Sequence, residues 1–375
     1  MKLLIKPLEK REIAEYLAVP DLTNDQSHAI GQLYQKIYTY IRDSHPTSEV
    51  RVYRPNPIVS VTNNYDRLLI AKDNLSRSST YTHYVTNDTI LRTHTSACIP
   101  DVLKELATDP TWDDVVILLP GLVYRRDVTD KKHLGVIHQM DMWRVVRNST
   151  RTPIVKQDLV DVVTGVAKTC GPHWNLRIVE SPHPYTRGGI EVNLVKGDQD
   201  IEILECGLIN DQLLLNAGLD PAEYSGWASG MGLDRLTMIL KDIPDIRYLR
   251  STNEKIAIQM KNLLPYVEIS HQPALKRDLS YCVPVEHVEE DINEDIRRAM
   301  GNEVDILESV EILSTTSYNE LPENVRTRLG CTPELKNILV RITLRHLSKT
   351  LTKEEGNSLY EKIYRLVNKG AAGYI

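Results

Sequence analysis

The stretch that decides the fold is 119-LPGLVYRRDVTDKKHLGVIHQMDMWRVV-146. It closes a β-branched apolar run, Val115–Leu119, passes through Val123 and Tyr124, and ends in a second apolar run around Met140–Val146. A charged segment, Arg125 to Gly135, lies between them. Two such runs flanking a charged turn predict antiparallel strands joined by a long loop. Residues two apart on a strand share a face, so Arg125 sits with Asp127, and Gln139 with Asp141. His138 lies on the returning strand. A cation, an amide and two carboxylates aimed at one patch describe a polar site; on residue types alone, a solvated hairpin with surface charges fits as well.

The 375 residues suit two domains rather than one core. Hydrophobic content of 41% and charged content of 26% are those of an ordinary globular chain. A net charge of −6 excludes a pervasively basic surface, so any polyanion must meet a local patch. Five scattered cysteines without CxxC spacing argue against a disulfide framework or structural zinc, and fit a reducing compartment. No apolar run approaches ~18 residues, so no membrane span is expected. The start MKLLIKPLEKREIAEYL carries acidic residues and no apolar core; a cytoplasmic protein without a targeting peptide is expected. One feature departs sharply from average usage. The chain has 18 Tyr and no Phe, where roughly a dozen or more Phe are ordinary.

Along the chain, Leu3–Ile5 reads as a short strand and Glu9–Leu17 as a helix. A second helix, Asp25 to Ile41 with Asn24 as cap, carries the stripe Ile30, Leu33, Tyr34, Ile37, Tyr38 and Ile41. Strands follow at Val50–Tyr53 and, after Pro55-Asn56-Pro57, at Ile58–Val61. The segment from Ile90 to Ser96 is a strand end turning into a helix, Ala97–Leu106, with Ser96 placed as its N-cap. Val155–Gly171 reads as a helix and Leu176–Val179 as a strand. Ile190–Val195 and Ile201–Leu204 form a hairpin in which Glu202 faces away from Ile201 and Ile203. Glycines 226, 230 and 232 then precede a helix beginning near Leu233, with Arg235 in its first turn. A guanidinium there can reach a phosphate, although Gly-rich strand-to-helix turns often bind none. After a helical linker comes a smaller α+β unit. Its strands lie near Asp278–Val283, Val310–Ser314 and Asn337–Leu344, with helices at Val288–Met300 and Lys353–Lys369; that order suggests a ferredoxin-like fold.

Four segments carry a family resemblance: RTHTSA at 92–97, YRRD…HQMD in the opening hairpin, GWASGMGLDRLTMIL at 226–240, and DIPDIRY at 242–248. They resemble the class II phenylalanyl-tRNA synthetases. HQPALKRDLSY…ESVEIL…RITLRHLSKTLTKEE resembles the ferredoxin-fold anticodon-binding domain of the single-chain, mitochondrial-like type. The resemblance implies an α/β (α+β) fold: a class II antiparallel sheet flanked by helices, plus a small ferredoxin-like domain. It implies a catalytic domain at 1–248, with motif 1 at about 26–61, motif 2 at about 115–146 and motif 3 at about 224–240. A linker at 249–270 and an anticodon-binding-like domain at 271–375 follow.

The implied activity is ATP-dependent aminoacyl-adenylate formation followed by transfer to tRNA, most simply phenylalanine to its tRNA, by a monomer or homodimer. By the same resemblance Arg125 would hold the α-phosphate of ATP and Arg235 the γ-phosphate. Glu202 would coordinate Mg²⁺, with His138 and Gly232 also at the nucleotide. His94, Ser96, Asp127, Gln139 and Asp141 would surround the substrate ammonium and carboxylate; His183, Tyr185 and Ala228 would line the ring pocket. Asp127 and Asp141 are shorter than the Glu often found there. His183-Pro184-Tyr185 stands where the family presents Phe-Pro-Phe, and Ser229 where its third motif has a further Phe. Alternatives are a paralogue that activates a hydroxylated or other aromatic amino acid, and a homologue that binds adenylate or tRNA without charging. Residues 268–375 carry 14 Lys and Arg against 18 Asp and Glu, which leaves tRNA contact there to a stripe such as Lys276, Arg277, Arg341 and Arg345. A Phe-free enzyme of this type would suit a backup or self-protective role.

Overall fold

The opening hairpin lies at the heart of a seven-stranded sheet. The computed structural model describes residues 5–126, 131, 133–197, 199–268, 273–346 and 349–371. It divides into two units: Met1–Arg125, Val136–Ile243 and Met260–Pro265 form the first; Arg126–Gly135, Pro244–Gln259 and Tyr266–Ile375 the second.

The first unit begins with α1 (Lys10–Leu17) and α2 (Ala29–Ser44). The stripe of α2 is buried as its spacing predicts. Its cap is His28, whose ring accepts from the Ile30 amide at 3.1 Å, while Asn24 closes a separate short turn. Next come β1 (Glu49–Val52), β2 (Ile58–Ser60), α3 (Val61–Asn64), β3 (Thr89–Leu91) and α4 (Ile99–Thr108). The hairpin is β4 (Asp114–Tyr124) and β5 (Val136–Arg147), in continuous register from Asp114↔Val146 to Tyr124↔Val136. Every residue of β4 is buried, which its unbroken apolar run requires. The unit continues with α5 (Lys156–Cys170), β6 (Asn175–Glu180), β7 (Thr186–Lys196), β8 (Gln199–Ile209), α6 (Asp211–Ala217), β9 (Tyr224–Gly232) and α7 (Leu233–Leu240).

Strand order is β1-β4-β5-β9-β8-β7-β6, antiparallel except for β1 beside β4. On one face Val115, Ile117, Leu119, Trp143 and Val145 share a core with Ile99, Val102 and Leu103 of α4 and Leu213 and Leu214 of α6. On the other side α5 packs on β7 and β8 and against α2. At the end of α7 the Lys241 side chain is wholly buried, and its ammonium donates to the carbonyls of Asn262 (2.8 Å) and Leu264 (2.6 Å). Burial pushes its pKa down.

The second unit holds α8 (Glu254–Ala257), β10 (Leu275–Pro284), α9 (Glu289–Met300), β11 (Leu307–Thr316), α10 (Glu323–Leu329), β12 (Leu335–Leu344) and α11 (Lys353–Val367). The sheet order β10-β12-β11, with both pairs antiparallel, is that of the first three strands of a ferredoxin-like unit. Its core joins Leu279, Tyr281 and Val283 of β10 to Ile296 of α9, Ile338 and Val340 of β12, and Ile363 of α11. Of the anticipated basic stripe, Arg341 is paired with Asp278 (2.8 and 2.9 Å), Arg345 with Glu308, and Arg277 lies over the Tyr360 ring. Among the described residues, no helix is long and apolar enough to cross a membrane.

Candidate active site

Register on the α4 side of the sheet builds the floor. Gln139 stands opposite Gly232, Asp141 opposite Gly230, and Trp143 opposite Ala228. On the next strand Glu205 pairs with Gly230 and Gly207 with Ala228, and Glu191 pairs with Glu205 beyond. A side chain is thus missing at Gly230, between the carboxylates of Asp141 and Glu205. The glycines predicted as a ligand-facing turn are in fact part of a strand hydrogen-bonded on both sides. At Gly226 the reason is close approach: a Cβ there would lie 2.2 Å from the Arg144 carbonyl oxygen.

The wall comes from residues 93–98. Ser96 does not cap α4. Its hydroxyl donates to Asp141 Oδ2 at 2.6 Å, the Thr95 hydroxyl to Oδ1 at 2.5 Å, and the Trp143 indole to Oδ2 at 3.0 Å. The Thr95 amide donates to Gln139 Oε1 at 3.1 Å. Burial raises the Asp141 carboxyl while these donors pull it back. Asp141 therefore serves as the anchor that fixes Ser96 and Thr95. His94 is held neutral, near pKa 3, first by burial and then by the Arg125 cation. Neither of its ring nitrogens has a hydrogen-bond partner among the described residues. Arg125 is fixed by its Nε, which donates to the Thr93 carbonyl at 2.8 Å; its charge also lowers the Glu205 carboxyl.

Tyr185 stacks on Trp143 with centroids 6.2 Å apart and planes 20° from parallel, and packs against the same core as Ala228. His183 leans on Tyr185 at 6.1 Å and reaches Glu205, Nε2 to Oε1, at 3.0 Å. The contact raises the His183 pKa and lowers that of Glu205, so each group favours the charged form of the other. Glu202 and Glu205 share a face although they are three apart. Their partners on β7, Asn193 and Glu191, are two apart, and a bulge at Ile203 takes up the extra residue. Desolvation, then Glu205 and Glu191, push the Glu202 carboxyl up, and the exposed Arg235 in the first turn of α7 pulls it down.

His94, Ser96, Arg125, Gln139, Asp141, His183, Tyr185, Glu202, Ala228, Gly232 and Arg235 therefore belong to one region. Two expected members are not in this set. Asp127 lies outside the described residues. His138 is on the opposite sheet face, wholly buried; its Nε2 accepts from the Leu22 amide at 2.9 Å and its Nδ1 meets Asp234 at 3.0 Å. It ties β5 to α7, not to the site. Glu205, Thr95 and Trp143 were not anticipated. A carboxylate inside the apolar run of β8 is the sequence mark of Glu205, but only the bulge tells which face it takes.

Residues 17–260 match the family model "tRNA synthetases class II core domain (F)". The chain belongs to this family. It is 29% identical to the chloroplastic/mitochondrial phenylalanine–tRNA ligase of Arabidopsis thaliana, an alignment covering 91% of this chain and 76% of that one. To the probable mitochondrial enzyme of Drosophila melanogaster it is 27% identical, over 90% of this chain and 82% of the relative. To the mitochondrial enzyme of Mus musculus it is 28% identical, over 92% and 80%. These relatives are organellar by name, which overturns the expectation of a cytoplasmic protein.

Proposed function

We propose that this class II synthetase is a phenylalanine–tRNA ligase, activating phenylalanine with ATP and passing it to tRNA-Phe. The observation that carries the reading is the anchored wall: one buried carboxylate, Asp141, holds Ser96 and Thr95 beside the stacked rings of Trp143 and Tyr185. Aromatic neighbours of this kind suit an aromatic substrate, and the names of the relatives agree with it. His94, Ser96 and Gln139 face the polar end, where the unpaired imidazole of His94 offers a neutral hydrogen bond to the substrate backbone. Ala228 and Tyr185 bound the ring.

No covalent nucleophile is needed. The substrate carboxylate attacks the α-phosphorus of ATP, and pyrophosphate leaves; positioning and charge stabilisation supply the catalysis. Arg125, pinned through its Nε, keeps the outer edge of its guanidinium for the α-phosphate. Arg235 would hold the γ-phosphate, and a Cβ at Gly232 would meet nothing within 4 Å, which leaves room for the nucleotide beside it. Among the described residues, no group of three His, Cys, Asp or Glu is arranged as a metal cage. Mg²⁺ held largely by phosphates needs one or two carboxylates. Glu202 fits that need, because its neighbours Glu205 and Glu191 give it a surplus of negative charge. When bound, the ion would neutralise charge on the leaving pyrophosphate.

One observation favours a second reading. The His183–Glu205 pair places polar groups beside Tyr185, which suits a ring-hydroxylated phenylalanine. Amino-acid-dependent pyrophosphate exchange with phenylalanine, tyrosine and meta-tyrosine decides. Exchange with phenylalanine, lost in Arg125→Ala, is expected. Preference for meta-tyrosine would establish the second reading, and no exchange with any of them would remove both.

A further inference from the structure

Tyr281 and Val283 of β10 belong to the core shared with α9 and α11. Cys282, between them, takes the opposite face of the strand. There it joins a separate apolar cluster with Leu321, Leu329, Cys331 and Leu335. Cys282 is wholly buried and Cys331 is 8% exposed. Two cysteines far apart in sequence thus meet in one small cluster, and their thiols share a hydrogen bond.

The backbones that carry them are held side by side. Asn368 Oδ1 accepts from the Cys282 amide at 3.0 Å, and the Lys369 amide donates to the Cys282 carbonyl at 2.9 Å. The Ala371 amide donates to the Gly330 carbonyl at 3.1 Å. Between these, a Cβ on Gly370 would lie 2.2 Å from the Leu329 carbonyl oxygen. The segment that follows α11 therefore ties β10, an edge strand of its sheet, to the end of α10.

We infer that Cys282 and Cys331 are a redox-sensitive pair, closed by a peroxide to a disulfide that staples the end of α10 to β10. Cys331, the more exposed, meets the oxidant first. Burial, and then the hydrogen bond to Cys331, push the Cys282 thiol up to about 12, so it stays protonated and enters second. Hydrogen peroxide converts the Cys331 thiol to a sulfenic acid, releasing one water. The Cys282 sulfur then attacks the sulfenic sulfur; the S–O bond breaks, and the hydroxyl leaves with the thiol proton as a second water. Two thiols are oxidised, one peroxide is reduced to two waters, and one S–S bond forms. The link closes a loop of about fifty residues, which restricts the unfolded chain.

The test uses the full chain, treated with hydrogen peroxide, alkylated in denaturant and digested. Of its five thiols, three are expected to remain, with Cys282 and Cys331 recovered in one cross-linked peptide that dithiothreitol separates. The urea midpoint of the oxidised protein is expected to lie above that of the reduced one. Cys331→Ser and Cys331→Ala, two replacements of different polarity, are each expected to abolish the cross-link and the shift. Five surviving thiols, a cross-link between other cysteines, or sulfinic acids without a cross-link would overturn the pair. A Cys282–Cys331 cross-link that left the midpoint unchanged would overturn its stapling role.

Discussion

At the scale of single residues, the His183–Glu205 contact makes two measurable demands. His183 is raised above the ordinary imidazole value of 6.5, so its contribution to stability is complete below that value and lost as pH rises through the raised one. Glu205 is lowered below 4.5, so its contribution is present above 4.5 and lost as pH falls through the lowered value. The pair is therefore strongest in between. Glu205 is 41% exposed, so screening keeps the coupling to about 0.5–1 kcal/mol. A double-mutant cycle with His183→Gln and Glu205→Gln, followed by urea unfolding across pH, should show that coupling near pH 5–6 and its loss at both extremes. A coupling that does not change with pH would show that the two groups are not an ion pair. The second demand concerns substrate. His183→Phe removes a polar ring from beside Tyr185 and should lower KM for phenylalanine roughly tenfold relative to meta-tyrosine, read by pyrophosphate exchange. The sequence showed both His183 and its place beside Tyr185. It did not show Glu205, because a bulge two residues upstream reverses which face that residue takes.

At the scale of elements, β9 separates the two uses of glycine. Gly226→Ala forces a Cβ against the Arg144 backbone and should cost ~2–3 kcal/mol, seen as a lowered Tm. Gly230→Ala meets Asp141 Oδ1 at 3.4 Å, an ordinary contact, so the fold should survive while the methyl narrows the substrate floor and raises KM. A Tm unchanged in the first variant, or a KM unchanged in the second, would refute these assignments. On β10, Tyr281→Phe relieves the orphaned hydroxyl and should stabilise the chain by ~1–2 kcal/mol in denaturant unfolding. Legibility tracked periodicity. The hairpin β4–β5 and the helix α2 were readable because their apolar patterns are long and unbroken. β9 does not show as a strand in the sequence, because three glycines hide a segment whose pairing comes from both neighbours. α6 and α10, each 7 residues long, are too short to show a stripe.

At the scale of the whole molecule, charge sets how tRNA can be met. The net charge is −6, and in the second unit Arg341 and Arg345 are already paired with acids. Binding should therefore rest on few phosphate contacts, giving a slope of log affinity against log salt of about −2 to −3. Titration of tRNA-Phe at several salt concentrations measures it, and a much steeper slope would require a basic surface elsewhere. The order of the motifs along the chain was plain from the sequence. The division into units was not, since Met260–Pro265 returns to the first unit after Pro244–Gln259 has joined the second.

The buried ammonium of Lys241 governs how this protein can be dissected. A fragment ended near Ile243 would keep the lysine but discard Asn262 and Leu264, whose carbonyls receive it. The fragment would carry an interior charge with no acceptors and would be expected to express poorly. One extended through Pro265 keeps the acceptors, and is the shorter piece worth making.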